Sequence, residues 1–318
     1  MKFNKITKTD LGKIVSMYNL GKLQSYSKFD QGIINDVTKI VTDTGEYVVR
    51  AWNPNFGKRE DKRFEINLLR KLHERGLMVQ EPVKCGEGYL VKYKGLDLAV
   101  FHYVEGESIL NLSVKQVAKT GAYTGQMHRI IEGYRPRGKR GKSTLKGFKK
   151  HVARISDWLR AEPLKDSDKF FRAVDETFKN LKWSSGLPKG VIHNDINPGN
   201  VLFKDGEVVC LIDFDCSRYE HLVNDVAVGM KCLGFYDDGI DFVKMKAFLK
   251  GYNDERRMLA SEWDSLYDKI RVEALLRGMY GISASLRGDT KKGCNSKSIK
   301  NLNLLNQITK REFMRRVK

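Results

Sequence analysis

The stretch VIHNDINPGNVLF, Val191 to Phe203, decides how this 318-residue chain is read. It opens on an apolar run, crosses a polar, turn-prone middle and closes on a second apolar run. LIDFD, Leu211 to Asp215, follows shortly after. The apolar runs read as buried strands, with the polar residues at their exposed ends. VLFKDGEVVCLI, between Asn200 and Asp213, reads as a hairpin turning at Lys204-Asp205-Gly206. Such a hairpin would return Asp213 towards Asn200, so that Asp195, Asn200 and Asp213 converge.

Three polar side chains of these kinds suit phosphoryl transfer. That chemistry needs a carboxylate to orient a hydroxyl and take its proton, oxygen ligands for magnesium, and a cation on the phosphates. His193, Asp195 and Asn200 stand in the spacing H-x-D-x-x-x-x-N of a kinase catalytic loop. Asp195 is the candidate base. Asn200 and Asp213 are the candidate Mg2+ ligands, since magnesium takes hard oxygens and usually only one or two protein carboxylates. An Asp in an Asn-Pro-Gly-Asn setting is also an ordinary turn residue, and D-x-x-x-x-N alone arises by chance. The joint pattern with IDFD carries the reading. His193, two residues before the base, reads as a structural hydrogen-bonder rather than a catalytic group.

Composition narrows the classes. Hydrophobic residues make up 41% and charged residues 31%, values of a globular chain. No apolar run approaches the ~18–20 residues that span a bilayer, and MKFNKITKTDLGKIV lacks the apolar core of a signal peptide. The expected address is the cytoplasm, with no membrane partner. The five cysteines are scattered without a CxxC pair, so reduced thiols are expected and a zinc site is not. The net charge of +19 attracts anions of many kinds. Tyr134 to Lys150 holds eight Lys/Arg and no acid, with glycines and a proline that suggest a mobile loop up to Thr144. Without zinc-finger spacing or an RNA-recognition aromatic motif, it reads as a solvated basic face rather than a nucleic-acid site.

The first hundred residues read as mostly strand, with a hairpin around Asp43-Thr44-Gly45 and a helix over REDKRFEINLLRKLHERGL. In that helix Phe64, Leu68, Leu69 and Leu72 form one stripe and Gly76 a stop. After Gly106 the texture turns helical. The fold class expected is α+β and bilobal: a β-rich nucleotide-binding lobe over 1–104 and a helical catalytic and substrate lobe over 105–318.

VIHNDINPGNVLF followed by VVCLIDFD resembles the aminoglycoside phosphotransferase and choline kinase superfamily, which has a protein-kinase-like fold and phosphorylates small molecules. GAYTGQMHRI resembles that family's helix ending in a Met/Leu-His pair, and Asp225 of NDVAVGMK its downstream structural Asp. Asp215 stands where protein kinases have the Gly of D-F-G. The resemblance implies ATP and Mg2+ as cofactors, with Asp195 as base and Asn200 and Asp213 on the metal. It places Arg50 of EYVVR as the phosphate-pairing cation and Glu65 as its ion-pair partner. His102 and Val104 fall in the hinge that would hold adenine. The loop DQGIINDV has one glycine, Gly32, to cover the phosphates, not the G-x-G-x-x-G of protein kinases. Arg50 replaces the more usual Lys, and a forked guanidinium is not interchangeable with an ammonium.

YNLGKLQSYSKFDQGIINDVTKIVTDTGEYVVRAW is most similar to the homoserine-kinase-like branch. The expected partner is a small hydroxylated substrate such as a homoserine-like amino alcohol or amino acid. An antibiotic phosphotransferase of the aminoglycoside type is the alternative. Its substrates are polycations, which a strongly basic chain would suit only through a local acidic pocket drawn from Asp237, Asp238, Asp241 or Glu273. A catalytically weak kinase-fold binding protein and an enzyme acting on protein or RNA are the remaining readings. No A-P-E follows IDFD, which counts against a protein kinase.

Overall fold

A computed structural model describes residues 6–29, 35–136, 144–179, 181–184, 186–237, 239–287, 294 and 296–318. Gly32, the core of the basic segment from Arg137 to Ser143, and Asp238 lie outside the described residues. The chain divides into two compact units. The first holds the described residues of 1–107 together with Pro136 and 209–215; the second holds those of 108–135, 144–208 and 216–318.

The first unit opens with a helix where the sequence reads mostly as strand. In α1 (Lys8–Met17), Thr7 and Asp10 cap each other reciprocally, and Leu11, Ile14 and Val15 are buried. The strands β1 (Leu23–Lys28), β2 (Asp36–Thr42) and β3 (Gly45–Ala51) follow. β2 and β3 form the expected hairpin, in register from Asp36↔Ala51 to Thr42↔Gly45. Next comes α2 (Arg59–Glu74), where Phe64, Leu68, Leu69 and Leu72 are buried as their spacing requires. Gly76 ends it in the left-handed conformation, φ 86°. Then β4 (Val91–Tyr93) and β5 (Leu96–His102) complete a five-stranded sheet, ordered β1-β2-β3-β5-β4 and antiparallel throughout. Ile40, Val49, Ala51, Leu98 and Val100 pack with Leu11 and Ile14 of α1 into one core.

β6 (Glu107–Ser108) leads into helices. They are α3 (Val114–Ile130), α4 (Leu145–Ala161) and α5 (Ser167–Lys179). After β7 (Lys189–Ile192) come the catalytic-loop sequence, β8 (Val201–Lys204) and β9 (Glu207–Leu211). The chain reverses between β8 and β9 at Asp205-Gly206, both at positive φ, the turn the sequence predicts. β10 (Arg218–His221) pairs antiparallel with β7. α6 (Val223–Gly234) follows, then the short β11 (Phe235–Tyr236) and β12 (Gly239–Ile240). The chain closes with α7 (Phe242–Glu255), α8 (Ala260–Leu286), α9 (Lys297–Asn306) and α10 (Lys310–Val317).

α3 and α7 cross at backbone contact. A Cβ at Gly121 or Gly251 would fall inside the carbonyl oxygen of Phe248 or Ala118 respectively, and one at Gly125 would sit 2.6 Å from the Tyr252 carbonyl oxygen. The basic C-terminus is partly tied down. Lys310 pairs with Asp264, Arg316 with Glu312, and Lys318 lies over the Trp263 ring. Among the described residues no helix is long and apolar enough to cross a membrane.

Candidate active site

The second unit carries the catalytic-loop sequence. β7 delivers the chain into His193, whose ring is fully buried. Its Nδ1 accepts the N–H of Asp195 at 3.3 Å, the structural role its position suggested. Asn194 sits in the left-handed region, φ 65°, where Asn is tolerated better than most residues. That conformation is fixed from behind. The fully buried Asp225 of α6 accepts the backbone N–H of His193 at 2.7 Å and of Asn194 at 2.6 Å. His128, near the end of α3, meets the same carboxylate through Nε2 at 3.0 Å, and its Nδ1 meets the Tyr252 hydroxyl at 2.8 Å. Arg256 then donates to that hydroxyl at 2.9 Å and forks onto Glu262 with two bonds of 3.1 Å. A hydrogen-bonded chain thus runs from the loop backbone through α6, α3 and α7 to the first turn of α8. Burial pushes the Tyr252 phenol up, against the pull of Arg256, so it stays a neutral hydroxyl.

Asp195 itself stays accessible, its side chain 23% exposed. Asn200 steadies it: Nδ2 donates to the Asp195 carbonyl at 2.9 Å and to its carboxylate at 3.1 Å. This orientation leaves the Asn200 Oδ1, a hard oxygen, for another partner. From α8, the guanidinium of Arg277 approaches the same carboxylate at 3.7 Å.

The first unit carries the second cluster, centred on Arg50 of β3. Nη1 donates to Glu65 of α2 at 2.9 Å, the ion pair expected from sequence. Nη2 reaches Asp213 at 3.1 Å and Asp215 at 2.6 Å. A forked guanidinium can serve three carboxylates at once where an ammonium is a point charge. Burial works against the charge on Arg50, but Glu65, Asp215 and Asp213 outweigh it and raise its pKa. Asp215 also accepts from Asn35 at 2.8 Å and from the Trp52 indole at 3.2 Å. Burial would raise its pKa, yet Arg50 and these donors bring it down to about 2. Asp215 is therefore an anchor within the unit. Asp213, by contrast, is 47% exposed and held at φ 63°.

Asp213 in the first unit and Asn200 in the second each present a hard oxygen of the kind magnesium takes, and among the described residues no group of three or more His, Cys, Asp or Glu could hold a metal ion. In the segment expected as the hinge, the His102 N–H is already given to the Glu81 carbonyl at 2.8 Å, so that donor is not open to a nucleotide.

Among the described residues, Asp237, Asp241 and Glu273 do not assemble the acidic pocket considered from sequence. Asp241 caps α7 by accepting the Lys244 N–H at 2.9 Å. Asp237 is exposed, and Glu273 lies among Lys231, Arg218 and Lys269, whose charges act on its carboxyl. The sequence reading also passed over Arg277. The available signal was charged residues at 269, 273 and 277, spaced by four on a helix buried along one side.

Residues 25–260 match the family described as the phosphotransferase enzyme family, APH. The chain belongs to this family. The homoserine kinase of Rhizobium meliloti (strain 1021) is 29% identical over 275 residues, covering 86% of this chain and 83% of that relative. The homoserine kinase of Janthinobacterium sp. (strain Marseille) is 28% identical over 283 residues, 86% of this chain and 84% of the relative. Among solved structures, the microcompartment-associated aminopropanol kinase superposes with a TM-score of 0.69 at 16% identity, covering 95% and 94% of the two chains. Amicoumacin kinase hAmiN, solved with AMP-PNP, Ca2+ and Ami, does so with 0.68 at 19% identity over 97% and 93%. These likenesses confirm the kinase-like α+β fold. As an APH-family phosphotransferase, the protein is a small-molecule kinase with a hydroxyl acceptor.

Proposed function

We propose that the protein transfers the γ-phosphate of ATP, with Mg2+, to the hydroxyl of a homoserine-like amino alcohol or amino acid. The supporting observation is the fixed loop: Asp195, oriented by Asn200 and backed by Asp225, presents a carboxylate to a hydroxyl donor. In this reading Asp195 orients the acceptor hydroxyl and takes its proton. The acceptor oxygen forms the new P–O bond as the bond between the γ-phosphorus and the β,γ-bridging oxygen breaks, and ADP leaves. Arg50, held by Glu65, supplies positive charge to the phosphates. Asn200 and Asp213 are the residues that would hold magnesium, which supplies charge neutralisation when bound. Val104 and Gly32 belong to the proposed nucleotide site, as does the His102 backbone carbonyl. The homoserine kinase relatives, similar over more than four-fifths of the chain, support the acceptor class.

The test is a coupled assay of ADP release with ATP and Mg2+ against a panel of hydroxylated amines, amino acids and aminoglycosides. Acceptor-dependent ADP release with homoserine or a near relative, and none with aminoglycosides, is the expected result. Release with aminoglycosides alone would overturn it.

A further inference from the structure

α8 carries Lys269, Glu273 and Arg277 four residues apart, so the three share one face of the helix. Arg277 ends the row beside the base, its Nη1 3.7 Å from the Asp195 carboxylate. Its side chain is 55% exposed and makes no hydrogen bond with any described residue, so its donors are open. One turn back, Glu273 feels the charges of Lys231 from α6, Arg218 from β10 and Lys269. Lys231 is 6% exposed, and among the described residues its ammonium makes neither hydrogen bond nor ion pair. Burying an unpaired charge is costly, so such a group normally has a partner. Among the described residues, Glu220 is a second carboxylate whose charge acts on Lys269. Arg218, Lys231 and Lys269 thus act on Glu273, as does the Asp225 carboxylate, while Arg277 faces Asp195 with donors to spare. Burial raises the Glu273 carboxyl, against the pull of the surrounding cations.

We propose that Arg277, backed by Lys231, is an acceptor-specificity site that binds a carboxylate carried by the substrate. This deepens the proposed function and rests on Asp195 receiving the acceptor hydroxyl. A guanidinium presents a planar fork that matches a carboxylate with two parallel hydrogen bonds. Because Arg277 stands next to Asp195, the hydroxyl and the carboxylate of the acceptor lie only a few bonds apart. A short hydroxy acid meets that condition. A polycationic sugar meets unfavourable charge there, and an amino alcohol without a carboxylate leaves the open donors of Arg277 unused.

Homoserine and 3-aminopropan-1-ol differ only by the carboxylate and serve as the probe pair. Steady-state constants for both are measured with ATP and Mg2+ for the full chain and for Arg277→Ala, Arg277→Lys and Lys231→Met. In the unaltered protein kcat/KM favours homoserine. Arg277→Ala raises the homoserine KM by about 10- to 100-fold, the loss expected for one charge-assisted contact, with a smaller effect on kcat. The KM for aminopropanol stays level or falls. Arg277→Lys recovers part of the loss. Lys231→Met also raises the homoserine KM while leaving the denaturant midpoint unchanged or higher, since a buried charge has been removed. Equal effects on both acceptors would show that Arg277 merely neutralises Asp195, and would overturn the assignment alone. A preference of the unaltered protein for aminopropanol would overturn it too. Absence of phosphate transfer to any hydroxyl acceptor would refute the kinase reading, and the assignment with it.

Discussion

Replacing Asp225 should cost more than replacing any residue it serves. Its fully buried carboxylate accepts two backbone N–H groups, from His193 at 2.7 Å and Asn194 at 2.6 Å, and meets the buried His128 ring at 3.0 Å. Asp225→Ala leaves both backbone donors unsatisfied in a dry site. At ~1–3 kcal/mol for each orphaned buried donor, the loss is about 3–5 kcal/mol once the His128 contact is included. Asp225→Asn keeps one carbonyl oxygen but turns an NH2 towards a donor, and should cost ~1–3 kcal/mol. Urea unfolding followed by circular dichroism measures both. Asp225→Ala should lower the midpoint by on the order of 1 M at unchanged slope. Residual transfer activity should fall as well, because Asn194 is released from its left-handed conformation. An Asp225→Ala protein within about 1 kcal/mol of the unaltered chain would refute the argument that this carboxylate braces the loop.

Asp195→Asn should lower turnover by orders of magnitude while nucleotide affinity stays level, since the role proposed for it concerns the acceptor proton and not the nucleotide; near-normal kcat would remove it as base. Asp213→Ala should abolish the Mg2+ dependence of nucleotide binding, measured by calorimetry. Asn200→Ala should weaken that dependence less, because water can replace a neutral oxygen ligand. Asp215 has a pH signature. Its carboxyl is lowered from 3.8 to about 2 in the folded protein, so its contribution is fully present above the unfolded value and is lost as pH falls through the folded one. The size is about 2 kcal/mol, lost between about pH 5 and pH 2. The Tm of Asp215→Asn should therefore lie below that of the unaltered protein at neutral pH and converge with it in acid. A gap that stays constant with pH would disprove the Arg50–Asp215 account.

Much of this was legible from local pattern. The β2–β3 hairpin, the α2 stripe with its glycine stop and the turn at Asp205-Gly206 depend on alternation, helical spacing and turn chemistry within one segment. The Arg50–Glu65 pair followed from the order of motifs. What escaped was set by partners distant in sequence. α1 hides among strands because its helix signal is one reciprocal cap, Thr7 with Asp10. Asp215 looked like a variant of a glycine position. Its meaning comes from Asn35, Trp52 and Arg50, each more than 160 residues away. Glu273 read as acidic-pocket material until α6 and β10 brought Lys231 and Arg218 to it. Glycines at 121, 125 and 251 are poor helix formers, and only the opposing carbonyls explain them.

Those glycines have a consequence for how the protein fails. His128 belongs to α3 and Tyr252 to α7, and the 2.8 Å contact between them is one link of the brace behind the catalytic loop. The spacing of that link is set where main chain touches main chain, so it has almost no tolerance. Side chains elsewhere in the helical unit can change size and be absorbed by their neighbours. A single methyl at position 121 or 251 has nowhere to go, and it would pry the two helices apart at the level of the brace. Damage there would resemble a lesion of the catalytic loop, although the altered residue touches none of its atoms.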